Sequence, residues 1–146
     1  GIEVTPVPVP HDAREPCQFL FRNNKKTFGI LTDLGSITPH VTEQYQQCDA
    51  LMLESNHCPD MLAMGPYPMS LKQRVGGNWG HLSNFQAATL LENIEQQHLQ
   101  HLVISHISEK NNTEALARQS IEKVFTRHDA LVFADQNNGV SWLDVL

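Results

Sequence analysis

Four times along this chain a short apolar run stops on an ionisable side chain. Val7-Pro8-Val9 leads to His11, Phe28 to Leu31 to Asp33, Leu51 to Leu53 to Glu54, and Leu102 to Ile104 to His106. Apolar runs this short, bounded by turn formers, are strands. Between them lie helical segments: Phe85, Ala88, Leu91 and Ile94 recur on one helical face behind Ser83, a good capping residue. Strands alternating with helices specify an α/β domain whose sheet is covered by helices on at least one side. In such sheets the strand ends line the crevice where ligands bind, so ionisable residues far apart in sequence can converge there.

The rest of the chain fits one domain, residues 1–146, with no internal repeat or linker. Cys17 to Arg22 and Thr27 to Leu31 form a hairpin across the polar turn Asn23-Asn24-Lys25-Lys26. Thr38 followed by Pro39 starts a helix that runs to about Gln47, and Ala50 to Leu53 is the next strand. Cys58 to Gly80, rich in Pro, Gly and Met, reads as a long functional loop with one short helical pattern around Ser70 to Val75. Helices are expected over Ser83 to Gln97 and Thr113 to Phe125, and strands over His101 to Ile104 and Ala130 to Ala134, before a closing apolar stretch from Val140 to Val145.

Composition narrows the function classes. A formal net charge of -6 gives no basic footprint for tight sequence-independent nucleic-acid binding, so such a role would rest on local basic residues or on a segment outside the chain. Three cysteines (Cys17, Cys48, Cys58) without short paired spacing exclude a zinc knuckle and fit a reducing compartment. No signal-peptide pattern or membrane-length apolar run occurs, so a cytoplasmic protein without a membrane partner is expected. The chain opens on Gly1 instead of Met and passes at once into a strand-like stretch, as a fragment or a processed chain would.

Eight histidines are many for this length, and neutral imidazole is the commonest metal ligand. His11, Asp33 and His106 at strand ends make part of a zinc, iron or manganese site, although spacing alone leaves open the plainer reading of turn-formers and hydrogen-bonded residues. Lys72 and Arg74 are placed either to contact phosphates or as solvated charges. His57, close behind Glu54, either faces substrate or supports a neighbour, and Asn111 and Asn112 form a turn before the next helix. His40, His98, His101 and His128 have no accompanying motif.

Read in order, His11-Asp12-Ala13, Thr32-Asp33-Leu34-Gly35, Glu54-Ser55-Asn56-His57, Gly80-His81-Leu82-Ser83-Asn84 and Ser105-His106-Ile107-Ser108 resemble the later motifs of the metallo-β-lactamase superfamily. Met61-Leu62, Gly65, Tyr67-Pro68, Leu71-Lys72 and Arg74-Val75 ahead of Gly80-His81 are most similar to its YycJ-like branch. The resemblance implies the C-terminal half of the αβ/βα sandwich, a mixed sheet covered by helices. It also implies a hydrolase of phosphodiesters, a nuclease of exonuclease type, that uses two divalent metal ions, zinc or manganese.

Residue by residue, the resemblance makes His11 and His106 metal ligands and Asp33 the carboxylate that bridges two metals. It gives His81, oriented by Glu54, the task of protonating the leaving alkoxide, and His57, Lys72 and Arg74 stand beside these as candidate substrate-binding residues. The family's His-x-His-x-Asp-His string does not occur in the chain. The expectation is therefore a partial site, inactive alone, with metal bound weakly or not at all until the N-terminal half is supplied. Two other readings stand beside it. One is a non-catalytic half-domain that docks onto a partner chain or a second copy; the other is a hydrolase of a small phosphodiester or thioester.

Overall fold

A computed structural model describes residues Gly1–Leu146. Its centre is one six-stranded sheet: β1 (Glu3–Pro8), β2 (Cys17–Asn23), β3 (Lys26–Leu31), β4 (Ala50–Glu54), β5 (His101–Ser105) and β6 (Leu131–Phe133), neighbours in that order. The first three strands are antiparallel and the last three add in parallel to β3, so the sheet is mixed. Prolines at positions 6 and 8 cannot donate ladder hydrogen bonds, and β1 is accordingly an edge strand.

Helices fill the parallel crossovers: α1 (Pro39–Gln44) before β4, then α2 (Pro59–Met64), α3 (Met69–Gly76) and α4 (Asn84–Asn93) before β5, and α5 (Glu114–Ile121) before β6. Strand order follows the sequence without reversal, and right-handed crossovers then bring every helix to the same face. One apolar core lies between that face and the helices, joining Leu20, Leu31, Leu51, Leu53, Leu102 and Ile104 of the strands to Val41, Leu90, Leu91 and Ile121.

The opposite face carries the alternate residues, paired across strands as Val4-Phe21-Phe28-Ala50 and Phe19-Ile30-Met52-Val103-Val132. It is apolar and has no helix on it. The closing segment crosses part of it without forming a strand, held where Leu146 exchanges hydrogen bonds with the Gln100 amide and where His101 Nε2 donates to the Asp144 carbonyl. Val140 and Val145 help line a cleft of about 450 Å³ against the sheet, while Trp142 is fully exposed.

Local signals placed most elements. Thr38 accepts from Val41 N ahead of Pro39, Thr113 caps α5, and Ser83 forms a reciprocal capping box with Gln86. The elements depart from expectation in two places. The stretch 58–80, read as a loop with one helical pattern, holds both α2 and α3, because six residues of α2 between prolines are too few to display a period. The helices starting at Pro39, Asn84 and Glu114 end at Gln44, Asn93 and Ile121, short of the expected Gln47, Gln97 and Phe125.

One contact pins the hairpin to α1. Buried Tyr45 donates its hydroxyl to Ile30 O at 2.7 Å and lays its ring over Gly29, where an added Cβ would meet it at 2.9 Å. Gly29→Ala is expected to lower stability by roughly 1–3 kcal/mol through overpacking, read as a lower urea midpoint with an unchanged m-value.

Candidate metal centre

Each ionisable side chain predicted at a strand end lies at the same end of the sheet. Asp33 and His106 follow β3 and β5 in left-handed backbone, φ +53° and +56°. Non-glycine residues adopt this conformation rarely, Asp and His more often than most, and it costs roughly 1–3 kcal/mol at each position. The reversal turns each side chain back across the end of β4, where Glu54 stands fully buried.

Glu54 organises the site. Its Oε1 accepts from His81 Nδ1 and from His106 Nδ1, both at 2.7 Å, and its Oε2 faces the amides of Leu34 and Leu82 at 3.4 and 3.3 Å. Burial would raise the Glu54 carboxyl, but the hydrogen bonds from His106 and His81 outweigh it and hold the group below the ordinary carboxylate range. In return the Glu54 hydrogen bond raises His106 against its own burial.

Three imidazoles end up in one tautomer. His11 donates Nδ1 to Gly80 O at 2.9 Å, as His81 and His106 do to Glu54, so each ring, when neutral, has Nε2 as its lone-pair nitrogen. The His81 ring sits between the others, 5.3 Å from each centroid. His106 Nε2 faces Asp33 Oδ1 at 3.8 Å, and two acceptors in that relation call for a proton or a cation between them. Donor atoms of Asp33, Glu54, His81 and His106 lie within 4.8 Å of one another, a set of nitrogen and oxygen donors that suits a divalent metal.

Not every candidate joins this cluster. His11 borders it, sharing a hollow with Asp33 and His81, and stands outside the tight group of four. Arg74 lines the same hollow but is paired with Asp12, whose carboxyl it holds below the usual range. His57 and Lys72 open instead on a separate pocket beyond α3. His57 is buried, and burial pushes its imidazole down to about 4.

Sequence reasoning missed three features. It tied Glu54 to His81 but not to His106, and it gave Asp12 no role although Asp12 adjoins His11. It also treated Asn112 as a turn residue, whereas Asn112 is buried in a network with Ser55 and Asn84. Asn84 follows the His81 loop and Asn112 the His106 loop, so the network clamps both to the end of β4. Asn84, the first residue of α4, closes the Gly80-His81-Leu82-Ser83-Asn84 motif, which could have flagged it; nothing local marks Asn112.

Residues 1–107 match the Beta-lactamase superfamily domain, and the chain belongs to that family. Among its relatives, the exodeoxyribonuclease YycJ of Bacillus anthracis is 36% identical over 123 residues, covering 84% of this chain and 47% of that protein. Among solved structures, the metallo-β-lactamase fold protein YhfI from Bacillus subtilis matches with a TM-score of 0.65 at 16% identity, over 97% of this chain and 49% of that one. Zinc-bound PqqB from Methylobacterium extorquens matches with a TM-score of 0.62 at 17% identity, over 96% and 46%. The chain spans about half the length of the curated relatives it matches. No helix is long and apolar enough to cross a membrane.

The charge arrangement sets a pH response for the metal-free chain. His106, raised by Glu54, contributes stability that is complete below 6.5 and lost as pH rises through its raised value. His57 is depressed, so its contribution is complete above 6.5 and lost as pH falls towards about 4; Glu54 adds to that loss below 4.5. Denaturation midpoints in chelator should peak near pH 6.5, and Glu54→Gln should remove the alkaline fall.

Proposed function

We propose that this chain is the C-terminal half of a metal-dependent phosphodiester hydrolase, an exonuclease acting on DNA. The observation that carries the reading is the Glu54 carboxylate gripping His81 and His106 by their Nδ1 atoms, with Asp33 across from both. The name of the Bacillus anthracis relative supports the substrate class.

Asp33 and His106 would hold divalent metal, zinc or manganese, with His11 as the further imidazole ligand. Two such ions, when bound, supply Lewis acidity that lowers the pKa of a water towards neutrality and offsets charge on the phosphoryl group. Asp33 suits a bridging position because its carboxylate is partly open to solvent and each of its two oxygens can face a different cation. His81, when it carries a proton on Nε2, gives that proton to the leaving alkoxide, and Glu54 holds the ring in the orientation for the transfer. Arg74, released from Asp12, is set to take a non-bridging phosphate oxygen in a bidentate grip.

Ligands for the remaining coordination positions come from the other half of the protein, which carries the His-x-His-x-Asp-His string. That half packs on the apolar sheet face, whose Val4 and Phe19 are otherwise 49% and 38% exposed. The chain without it binds metal weakly and does not turn over.

The full-length protein with manganese or zinc is expected to hydrolyse a phosphodiester, with Asp33→Ala abolishing turnover; undiminished turnover in that variant would sink the mechanism. Glu54→Gln should lower metal affinity by about 10- to 100-fold, measured by competition with a chromophoric chelator.

A further inference from the structure

Helix α3 has two lined faces. Leu71, Arg74 and Val75 border the hollow of the metal centre, while Met69, Lys72, Gln73 and Gly76 border a second pocket of about 620 Å³ that reaches α2 and the first turn of α4. This pocket lies in the helix layer, away from the apolar sheet face.

His57 forms its floor. The residue is 3% exposed, its Nδ1 is buried without a partner, and its Nε2 makes no hydrogen bond within the chain but is not sealed in. Gly76 lines the pocket beside the ring: a Cβ there would stand 3.1 Å from Leu62 Cδ2 and in van der Waals contact with His57 Nε2 at 3.9 Å, so a larger side chain at this position projects towards the imidazole. A buried imidazole with neither nitrogen satisfied by the protein is the mark of a site awaiting a partner.

The surroundings define that partner's chemistry. The imidazole is neutral and offers one donor and one acceptor. Lys72 gives one of its three ammonium hydrogens to Ala63 O at 2.5 Å at the exposed side of the pocket. Phe85 and Met69, at the rim, are 73% and 66% exposed, yet only four of the twelve lining residues are hydrophobic. A flat ring with donors and acceptors along its edge fits this combination of exposed Phe85 and Met69 with polar His57 and Gln73, and a purely apolar side chain does not.

We propose that the pocket takes one unstacked nucleobase of the strand whose backbone lies at the metal centre, with Phe85 and Met69 against its face and His57 Nε2 and Gln73 at its edge. This rests on the DNA-hydrolase reading above. The two sides of α3 then divide the work, the phosphate at one and its neighbouring base at the other.

The test uses the full-length protein in chelator, so that no strand is cut, and short single-stranded DNA carrying one abasic position moved along its length. Fluorescence anisotropy should show about tenfold weaker binding when the gap falls at one position, the effect of losing one stacked base. Phe85→Ala should erase that dependence, and since Phe85 is exposed the substitution leaves the core intact. Gly76→Leu, which fills the pocket, should do the same, and free deoxythymidine should shift the His57 ring resonances. An oligonucleotide that fails to bind, or binds equally with and without each base, overturns the proposal. Hydrolysis of a base-free phosphodiester by the metal-loaded protein is scored separately: its failure defeats the hydrolase reading and leaves the base dependence to be judged alone.

Discussion

A carboxylate buried at the end of a central strand is costly unless every lone pair is met, and the whole centre is arranged around meeting them. Glu54 is fully buried, with two imidazole donors on one oxygen and two facing backbone amides on the other. Those donors come from the segments after β3, before α4 and after β5. One side chain therefore fixes three strand-end loops relative to one another, and the rotation of two rings with them. Taking it away would leave buried amides unpaired and both imidazoles free to turn, which is why orientation and stability are not separable here.

Beneath that carboxylate lies a second, uncharged clamp. Ser55, Asn84 and Asn112 share buried hydrogen bonds of 2.6–2.9 Å, and Asn56 adds a bond to the His106 carbonyl. The network holds the backbone of the loops whose side chains Glu54 orients. The Asn56 bond to the His106 carbonyl braces the left-handed backbone at that residue, a strained conformation that needs its surroundings to over-determine it.

Much of this was legible in the sequence because it rests on local rules. Apolar runs that stop on His11, Asp33, Glu54 and His106 gave the strands and the end at which the residues gather, and Thr38, Ser83 and Thr113 gave the helix starts. The resemblance supplied the pairing of Glu54 with His81, and the 2.7 Å contact agrees with it. What stayed hidden depends on tertiary geometry. Glu54 reaching His106 spans 52 residues, and no spacing encodes it. Asn112 looks like a turn residue until Asn84 and Ser55 are packed beside it. Lys72 and Arg74, two residues apart on α3, line different pockets on the two sides of the helix, a separation that their spacing in the sequence does not announce.

The uninterrupted strand order has a consequence for assembly. Each strand docks on the edge its predecessor left, so the sheet can grow in one direction while the chain is still being made, with only short loops closed at each addition until β5. The span between β4 and β5, which carries three helices, is the long closure. His106 arrives only with that step, so Glu54 gains its second imidazole donor, and the three strand-end loops their common anchor, only when the long closure is made.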